Sequence, residues 1–246
     1  MKLLLLGTAG YHANDSRQTA CIMLPERGIL LDAGSGLFRA AEHLATSHLD
    51  IFLSHTHLDH VIGLTHLVGM VYRRPMARVT IHGEAEKLEA VREHLFAELL
   101  FPIEPEYEFR PLQQGMEIDG GGRLSYFPLE HPGGVVGYRL DWPGASLAYV
   151  TDTFAEPQAD YVEKIRGVDL LLHECSFPDG EEEFAKLTGH SNTTHVAQVA
   201  REAGVGRLVL VHIMSAAQET DPIGLAAAQA IFPDTVLGED GMELDF

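Results

Sequence analysis

The chain has 246 residues, of which 46% are hydrophobic and 22% are charged. This length suffices for one sizeable hydrophobic core, so we expect a single domain over residues 1–246. A formal net charge of −19 at pH 7 argues against nucleic-acid partners beyond short fragments, because proteins that bind a phosphate backbone usually present a basic face. No apolar run approaches the ~20 residues that a membrane span needs, so we expect no membrane partner.

The apolar run at residues 3–6 is too short for a signal peptide and predicts a buried first strand. Two cysteines, Cys21 and Cys175, are too few for a disulfide framework. We interpret both as reduced core residues and expect a cytoplasmic protein.

Apolar runs separated by glycine and proline predict many short strands and a few helices. The predicted strands are 2–6, 20–31, 50–53, 78–82, 107–112, 123–127, 135–140, 145–150, 168–172 and 207–211. The predicted helices are 37–44, 61–68, 85–99, 193–203 and 224–231. A strand-rich part followed by helices occurs twice, which indicates two sheets packed between helices.

A histidine-rich stretch, residues 54–60, follows the predicted strand 50–53. His55 and His57 are two residues apart, so in an extended segment they project to the same side. Asp59 and His60 fall in the following turn and can face a second point. Neutral imidazoles and a carboxylate are ligands for zinc, manganese or iron. The stretch therefore predicts a site for two metal ions, and the alternative is a solvated polar loop.

The segment His55-Thr56-His57-Leu58-Asp59-His60 resembles the HxHxDH signature of the metallo-β-lactamase fold superfamily. The resemblance extends over nearly the whole chain and implies an α/β fold, a four-layer αββα sandwich. It also implies a binuclear metal-dependent hydrolase in which a hydroxide bridging two divalent ions attacks the substrate. Zinc is the expected metal, with manganese or iron as alternatives.

Three further donors follow predicted strands: His131 follows 123–127, Asp152 follows 145–150 and His212 follows 207–211. Strand ends can meet at one edge of a sandwich. By the resemblance, one ion is held by His55, His57 and His131, the other by Asp59, His60 and His212, and Asp152 bridges the two.

Asp32 ends the predicted strand 29–31, next to a glycine-rich turn. The resemblance implies that Asp32 supports the metal ligands from behind, whereas a turn-forming role is the alternative. The other histidines have no matching role, and His173 and His195 stay unassigned.

Two segments narrow the branch of the superfamily: His173-Glu174-Cys175-Ser176-Phe177 and Thr188-Gly189-His190-Ser191. They resemble segments of the ribonuclease Z branch and its phosphodiesterase relatives. The resemblance implies that His190 assists departure of the leaving oxygen, that Glu174 orients His190, and that Asp59 orients the nucleophile. The alternative makes residues 189–192 a helix N-cap and Glu174 a surface charge. Arg17 is a weak candidate for a phosphate clamp.

Transfer-RNA-processing members carry a basic arm, for which residues 82–125 leave no room. We therefore predict hydrolysis of small or cyclic phosphodiesters. The alternatives are a ribonuclease Z-like endonuclease that processes transfer-RNA 3′ ends, and a thioester or lactone hydrolase, which would not need His190 or Glu174. Two other functions, a metal-binding protein without catalysis and a di-iron oxidoreductase, fit the ligands less well. The sequence does not determine the oligomeric state, and a homodimer is one possibility.

Overall fold

A computed structural model describes residues 1–73, 75–103, 106–214 and 221–246. The strands are β1 Lys2–Gly7, β2 Cys21–Leu24, β3 Ile29–Leu31, β4 His48–Phe52, β5 Arg78–Gly83, β6 Glu108–Pro111, β7 Met116–Ile118, β8 Gly122–Leu129, β9 Val135–Trp142, β10 Ala145–Val150, β11 Leu170–Glu174, β12 Arg207–Val211, β13 Thr235–Leu237 and β14 Glu243–Asp245. The α-helices are α1 Ala40–His43, α2 Leu58–Val61, α3 Leu67–Arg73, α4 Ala85–Ala90, α5 Tyr161–Lys164, α6 Glu182–Thr188, α7 Thr193–Ala203 and α8 Leu225–Ile231.

The strands form two seven-stranded mixed sheets, in the orders β14-β1-β2-β3-β4-β5-β6 and β13-β12-β11-β10-β9-β8-β7. In the first sheet β3, β4, β5 and β6 run parallel to one another. In the second sheet β10, β11, β12 and β13 are parallel. Parallel neighbours end at the same edge of a sheet, so the loops after β3 and β4 lie together, as do those after β10, β11 and β12.

Both faces of each sheet are covered, because alternate side chains of a strand point to opposite faces. In β1, Leu4 and Leu6 pack with helix residues such as Leu37 and Leu64. The intervening Leu3 and Leu5 belong to a second cluster that joins the two sheets through residues such as Leu147 and Leu172. A third cluster packs the other face of the second sheet against α7 and α8. The predicted αββα sandwich is thereby confirmed.

Several elements differ from the sequence-based expectation. The predicted strand 20–31 is two strands, since a turn between β2 and β3 interrupts it. The predicted helix 85–99 leaves α-helical geometry after Ala90 and continues as a π-helical turn, Val91–Leu95. The helices α5 and α6 and the strands β7 and β13 were not predicted, because elements of three to seven residues are too short for a clear periodic pattern.

The helices are short throughout the described part of the chain. The longest, α7, has 11 residues, and no described helix is long and apolar enough to cross a membrane.

A charged cluster stabilises the face between β4 and β5. The guanidinium of Arg78 donates two hydrogen bonds of 2.7 Å to the Asp50 carboxylate, and Nε2 of His82 lies 3.0 Å from Oδ1 of Asp50. Burial opposes ionisation of Asp50, but the hydrogen bonds from His82 and Arg78 lower its pKa from 3.8 to about 2. Asp50 therefore contributes stability in its ionised form.

Replacing Asp50 with asparagine should lower the free energy of unfolding at pH 7 by about 1–3 kcal/mol, since it removes a paired, partly buried charge. The folded-state pKa is below the unfolded one, so this contribution is complete well above pH 3.8 and is lost as the pH falls through about 2. Denaturant unfolding from pH 7 to pH 3 checks this result. The exposed Asp15→Asn variant is the control, and a difference that does not shrink with pH would contradict the assignment.

Candidate metal centre

One edge of the sandwich carries the predicted ligands together with Asp32, Glu174 and His190. Their positions are Asp32 after β3, residues 54–60 after β4, His131 after β8, Asp152 after β10, Glu174 at the end of β11, His190 between α6 and α7, and His212 after β12. The first sheet thus supplies one side of the centre and the second sheet supplies the other.

Within this edge the seven predicted ligands form two groups of converging donor atoms. In each group, one ligand atom per residue lies within 4.8 Å of all the others. The groups are His55, His57, His131 and Asp152, and Asp59, His60 and His212. Apart from Asp152, which the resemblance assigns to both ions, these are the two sets that it implied. We refer to His55, His57 and His131 as the first ligand set and to Asp59, His60 and His212 as the second.

Asp152 lies between the two sets and presents one oxygen to each. Its Oδ2 is 3.5 Å from Nε2 of His55 and 3.7 Å from Nε2 of His131. Its Oδ1 is 3.3 Å from Nε2 of His60 and 3.2 Å from Nε2 of His212. A carboxylate in this position can bridge two cations.

Four of the histidines are held from behind through Nδ1, which turns Nε2 towards the centre. The partners are Ser54 Oγ for His55 at 3.1 Å, Asp32 Oδ2 for His60 at 2.8 Å, the Gly189 carbonyl for His131 at 2.9 Å and Ser176 Oγ for His212 at 3.2 Å. Metal-bound histidines characteristically use the second nitrogen in this way.

Asp32 supports the ligands through several hydrogen bonds. Its carboxylate accepts hydrogen bonds from the Ser54 backbone N–H at 2.7 Å, the Ser54 hydroxyl at 2.8 Å and the Tyr149 hydroxyl at 2.8 Å, besides the contact with His60. Asp32 is fully buried, and its backbone has a left-handed φ of 58°. The carboxylate therefore faces the ligands, and the alternative of a turn-forming side chain is wrong.

The electrostatics of the first ligand set favour neutral imidazoles. Burial, with help from the neighbouring His60, lowers the pKa of His55 well below its usual value. Burial also lowers the pKa of His57 and of His131. Neutral imidazole is the form that binds metal ions, so these three side chains are prepared as ligands.

The carboxylates are held ionised despite burial. His212 and His60 lower the pKa of Asp59, and His212, His60 and His55 lower that of Asp152. Burial would lower the pKa of His60, but Asp152 and Asp32 raise it well above its usual value. The negative field that favours a proton on His60 equally favours another cation.

One buried atom tests whether these residues fit metal ions. Nε2 of His55 is buried and has no hydrogen-bond partner among the described residues. Nε2 of His60 and Nε2 of His212 also face each other at 3.1 Å. Buried polar groups are normally satisfied, and an unpartnered imidazole nitrogen 3.5 Å from the Asp152 carboxylate is suited to bind a cation. The donor set of imidazole nitrogens and carboxylate oxygens fits divalent transition metals.

His190 and Glu174 form a buried pair beside the ligands. Nδ1 of His190 lies 3.3 Å from Oε1 of Glu174, an ion-pair distance without good hydrogen-bond alignment. The His190 ring stacks on that of His212, with centroids 5.3 Å apart. Burial favours the neutral ring, yet the charge of Glu174 raises the pKa of His190 to about 9.

Glu174 is fully buried, so the alternative that made it a surface charge is wrong. Its carboxylate accepts hydrogen bonds from the backbone N–H groups of Thr153, Ser176 and Ser191 at 2.8–3.2 Å. The N-cap residue of α7 is Asn192, whose side chain makes no capping hydrogen bond. The N-cap therefore falls within residues 189–192, as the alternative expected, but on Asn192 and not on His190.

The unassigned candidates make other contacts. Arg17 is buried and donates to Thr8 Oγ1 at 2.6 Å and to the Gly238 carbonyl. His173 is in the core, 3.0 Å from the Tyr161 hydroxyl. His195 binds Asn192 Oδ1 at 2.6 Å. Arg17 thus satisfies backbone and hydroxyl groups in the interior, so its suggested role as a phosphate clamp is not supported.

Sequence reasoning missed some residues that hold the centre together. Ser54 and Ser176 adjoin predicted site residues, and this adjacency was the available signal. Gly189 acts through its carbonyl and adopts a left-handed φ of 76°, and a Cβ there would lie 2.8 Å from Nδ1 of His131. Nothing in the residue pattern indicates a backbone contact of this kind.

Comparison with known proteins places this geometry in a family. A family model described as the beta-lactamase superfamily domain matches residues 27–213. Ribonuclease BN of Escherichia coli strain 536 is 30% identical, with 98% of each chain covered. Ribonuclease Z of Synechococcus strain CC9605 is 28% identical, covering 100% of this chain and 98% of that protein.

A solved structure agrees with the fold. The metallo-β-lactamase fold protein YhfI from Bacillus subtilis has a TM-score of 0.77 and 21% identity, and 99% of each chain is covered. The chain therefore belongs to the beta-lactamase superfamily and is a metal-dependent hydrolase of the metallo-β-lactamase fold, near the ribonuclease Z branch.

Proposed function

We propose that the protein is a binuclear phosphodiesterase that hydrolyses small or cyclic phosphodiesters. The observation that carries this proposal is the buried pair of His190 and Glu174 beside the two ligand sets. A phosphodiester leaving group departs as a poor alkoxide and gains from a proton donor. Acyl transfer to water from a thioester or lactone does not require such a donor, so the pair favours phosphodiester chemistry.

The roles of the residues follow from their positions. The first and second ligand sets would each hold one divalent ion, most simply zinc, with Asp152 between them. Such ions supply Lewis acidity towards the phosphoryl group and make water a nucleophile at neutral pH. Asp59 would orient the attacking water, whose oxygen forms the new bond to phosphorus. His190 would give its proton to the oxygen of the breaking P–O bond, and Glu174 would hold the ring in place.

Cleavage of RNA is the second candidate function, because both curated relatives are ribonucleases. The alignment with ribonuclease BN extends over 312 positions, 66 more than the 246 residues of this chain. The relative therefore has segments without a counterpart here. Together with the net charge of −19, this difference supports a substrate smaller than transfer RNA.

We also propose that residues 1–246 act as one hydrolase domain, since the cluster between the sheets includes residues from Leu3 to Leu244. A cytoplasmic location is proposed because Cys21 and Cys175 are buried free thiols.

Metal analysis tests the binuclear centre. The purified protein should contain close to two transition-metal ions per chain by elemental analysis. Asp152→Ala should lose at least one ion, because its carboxylate faces both ligand sets. Asp160→Ala, which removes an exposed carboxylate just before α5, is the control and should keep both ions. Full metal content in Asp152→Ala, or full activity with one ion or none, would contradict the bridging role.

Leaving-group dependence tests His190. His190→Ala should keep its metal, while turnover of diesters with poor leaving groups falls about 10²–10⁴-fold. Nitrophenyl esters should lose less, because nitrophenolate departs without a proton. His195→Ala, which removes a neighbouring histidine outside the centre, is the control. Equal losses for both kinds of ester would mean that His190 positions substrate or structure instead.

Substrate size is tested by comparing specificity constants for a small diester and for precursor transfer RNA across a salt series. Repulsion by a negative surface acts over many phosphates of a polyanion and grows as the Debye length increases at low salt. A single diester is affected mainly at the metal centre, which attracts it. We expect efficient hydrolysis of the small diester and weak cleavage of transfer RNA. Efficient transfer-RNA processing at low salt would favour the second candidate.

A further inference from the structure

Two large apolar side chains stand exposed at the mouth of the metal centre. Tyr11 is 73% exposed and Leu58 is 68% exposed. The backbone N–H of Tyr11 donates to Oδ2 of Asp59 at 2.9 Å, and Leu58 directly precedes Asp59. We call these two side chains the Tyr11–Leu58 rim. An aromatic ring and an isobutyl group in water beside a polar centre provide a surface for an apolar part of a ligand.

The backbone of Tyr11 is fixed by its contacts. Its φ is 64°, a left-handed value that bulky residues rarely adopt. Among the described non-glycine residues only Asp32 and His212 share a positive φ, and both belong to the metal centre. Such backbone persists where neighbouring contacts enforce it, and it clusters at functional sites.

The preceding residue shows how closely this loop meets the centre. The N–H of Gly10 donates to the Ile213 carbonyl at 3.1 Å, and a Cβ on Gly10 would lie 2.5 Å from Nδ1 of His212. The loop that presents the Tyr11 ring is thus packed directly on a ligand of the second set. The backbone that carries the ring therefore has a defined position relative to that set.

The position of the ring indicates which part of a substrate it meets. His190 packs against His212 and His131, and under the proposed function it faces the leaving oxygen. Tyr11 is attached instead to Asp59, which orients the attacking water. Tyr11 thus lies on the side of the attacking water, and on that side a substrate presents the organic group that it keeps, not the one that departs.

We propose that Tyr11 is a specificity-determining residue that stacks on a planar nucleobase or aryl group retained on phosphorus. This inference rests on the proposed function and narrows the substrates to nucleoside or aryl phosphodiesters. Aromatic side chains stack on any base because every base has a π-face, and Leu58, beside Asp59 in the chain, is a second exposed apolar side chain.

Two esters with the same leaving group test the proposal: the p-nitrophenyl ester of thymidine 5′-phosphate and methyl p-nitrophenyl phosphate. The wild type should prefer the thymidine ester. In Tyr11→Leu, which keeps a Cβ and hence the same backbone strain, the ratio of the two specificity constants should fall about 5- to 150-fold. Tyr11→Phe should keep the ratio within about twofold, because the ring remains.

Tyr72→Leu, which removes an 88% exposed tyrosine on α3, is the control and should behave as the wild type. Titration calorimetry adds a second measurement, in which the dissociation constant for thymidine 5′-monophosphate should rise in Tyr11→Leu while that for methyl phosphate should not. An unaltered ratio, or an equal loss in Tyr11→Phe and Tyr11→Leu, would overturn the stacking role. A wild type that hydrolyses neither ester would overturn the proposed function instead, and calorimetry would then decide on Tyr11 alone.

Discussion

The buried carboxylate of Asp152 is the constraint on which the rest of this structure depends. An ionised carboxylate away from water is costly unless it is compensated by cations and hydrogen bonds. Asp152 is 2% exposed, and four imidazole nitrogens face its two oxygens at 3.2–3.7 Å. Compensation therefore requires groups from several strand ends, and only a fold that brings those ends together can supply them.

The order and direction of the strands in the two mixed sheets meet this requirement. Four parallel strands in each sheet direct their following loops to a common edge. The antiparallel strands complete the sheets and bury the apolar faces. Behind the edge, Asp32, Ser54 and Ser176 satisfy the outer nitrogens of the histidines. Packing and chemistry are thus linked, because the strands that build the core also aim the ligands.

The alternation of strands and helices predicted two sheets between helices, and the motif at residues 55–60 predicted a metal site. The family resemblance supplied the four-layer sandwich and the other ligands, His131, Asp152 and His212. Buried strands of five to eight residues and the motif at residues 55–60 are readable without neighbours. Hydrogen bonds of backbone groups could not be predicted, because every residue type has the same backbone groups. Examples are the contact of the Gly189 carbonyl with His131 and the bond from the Tyr11 N–H to Asp59. Arg17 was the opposite case: its position near a glycine-rich loop suggested a phosphate contact, but its guanidinium donates to a buried hydroxyl.

Each ligand set combines residues from both sheets, so a bound ion would affect the stability of the fold. His55 and His57 come from the first sheet and His131 from the second, and Asp59 and His60 meet His212 in the same way. Each ion would therefore cross-link two halves that are otherwise joined by apolar contact, by hydrogen bonds such as that from the Tyr149 hydroxyl to Asp32, and by the return of β14 to β1. By mass action, a ligand that binds only the assembled halves raises resistance to unfolding with the logarithm of its free concentration. Metal supply would in this way set the free energy of unfolding as well as the chemistry.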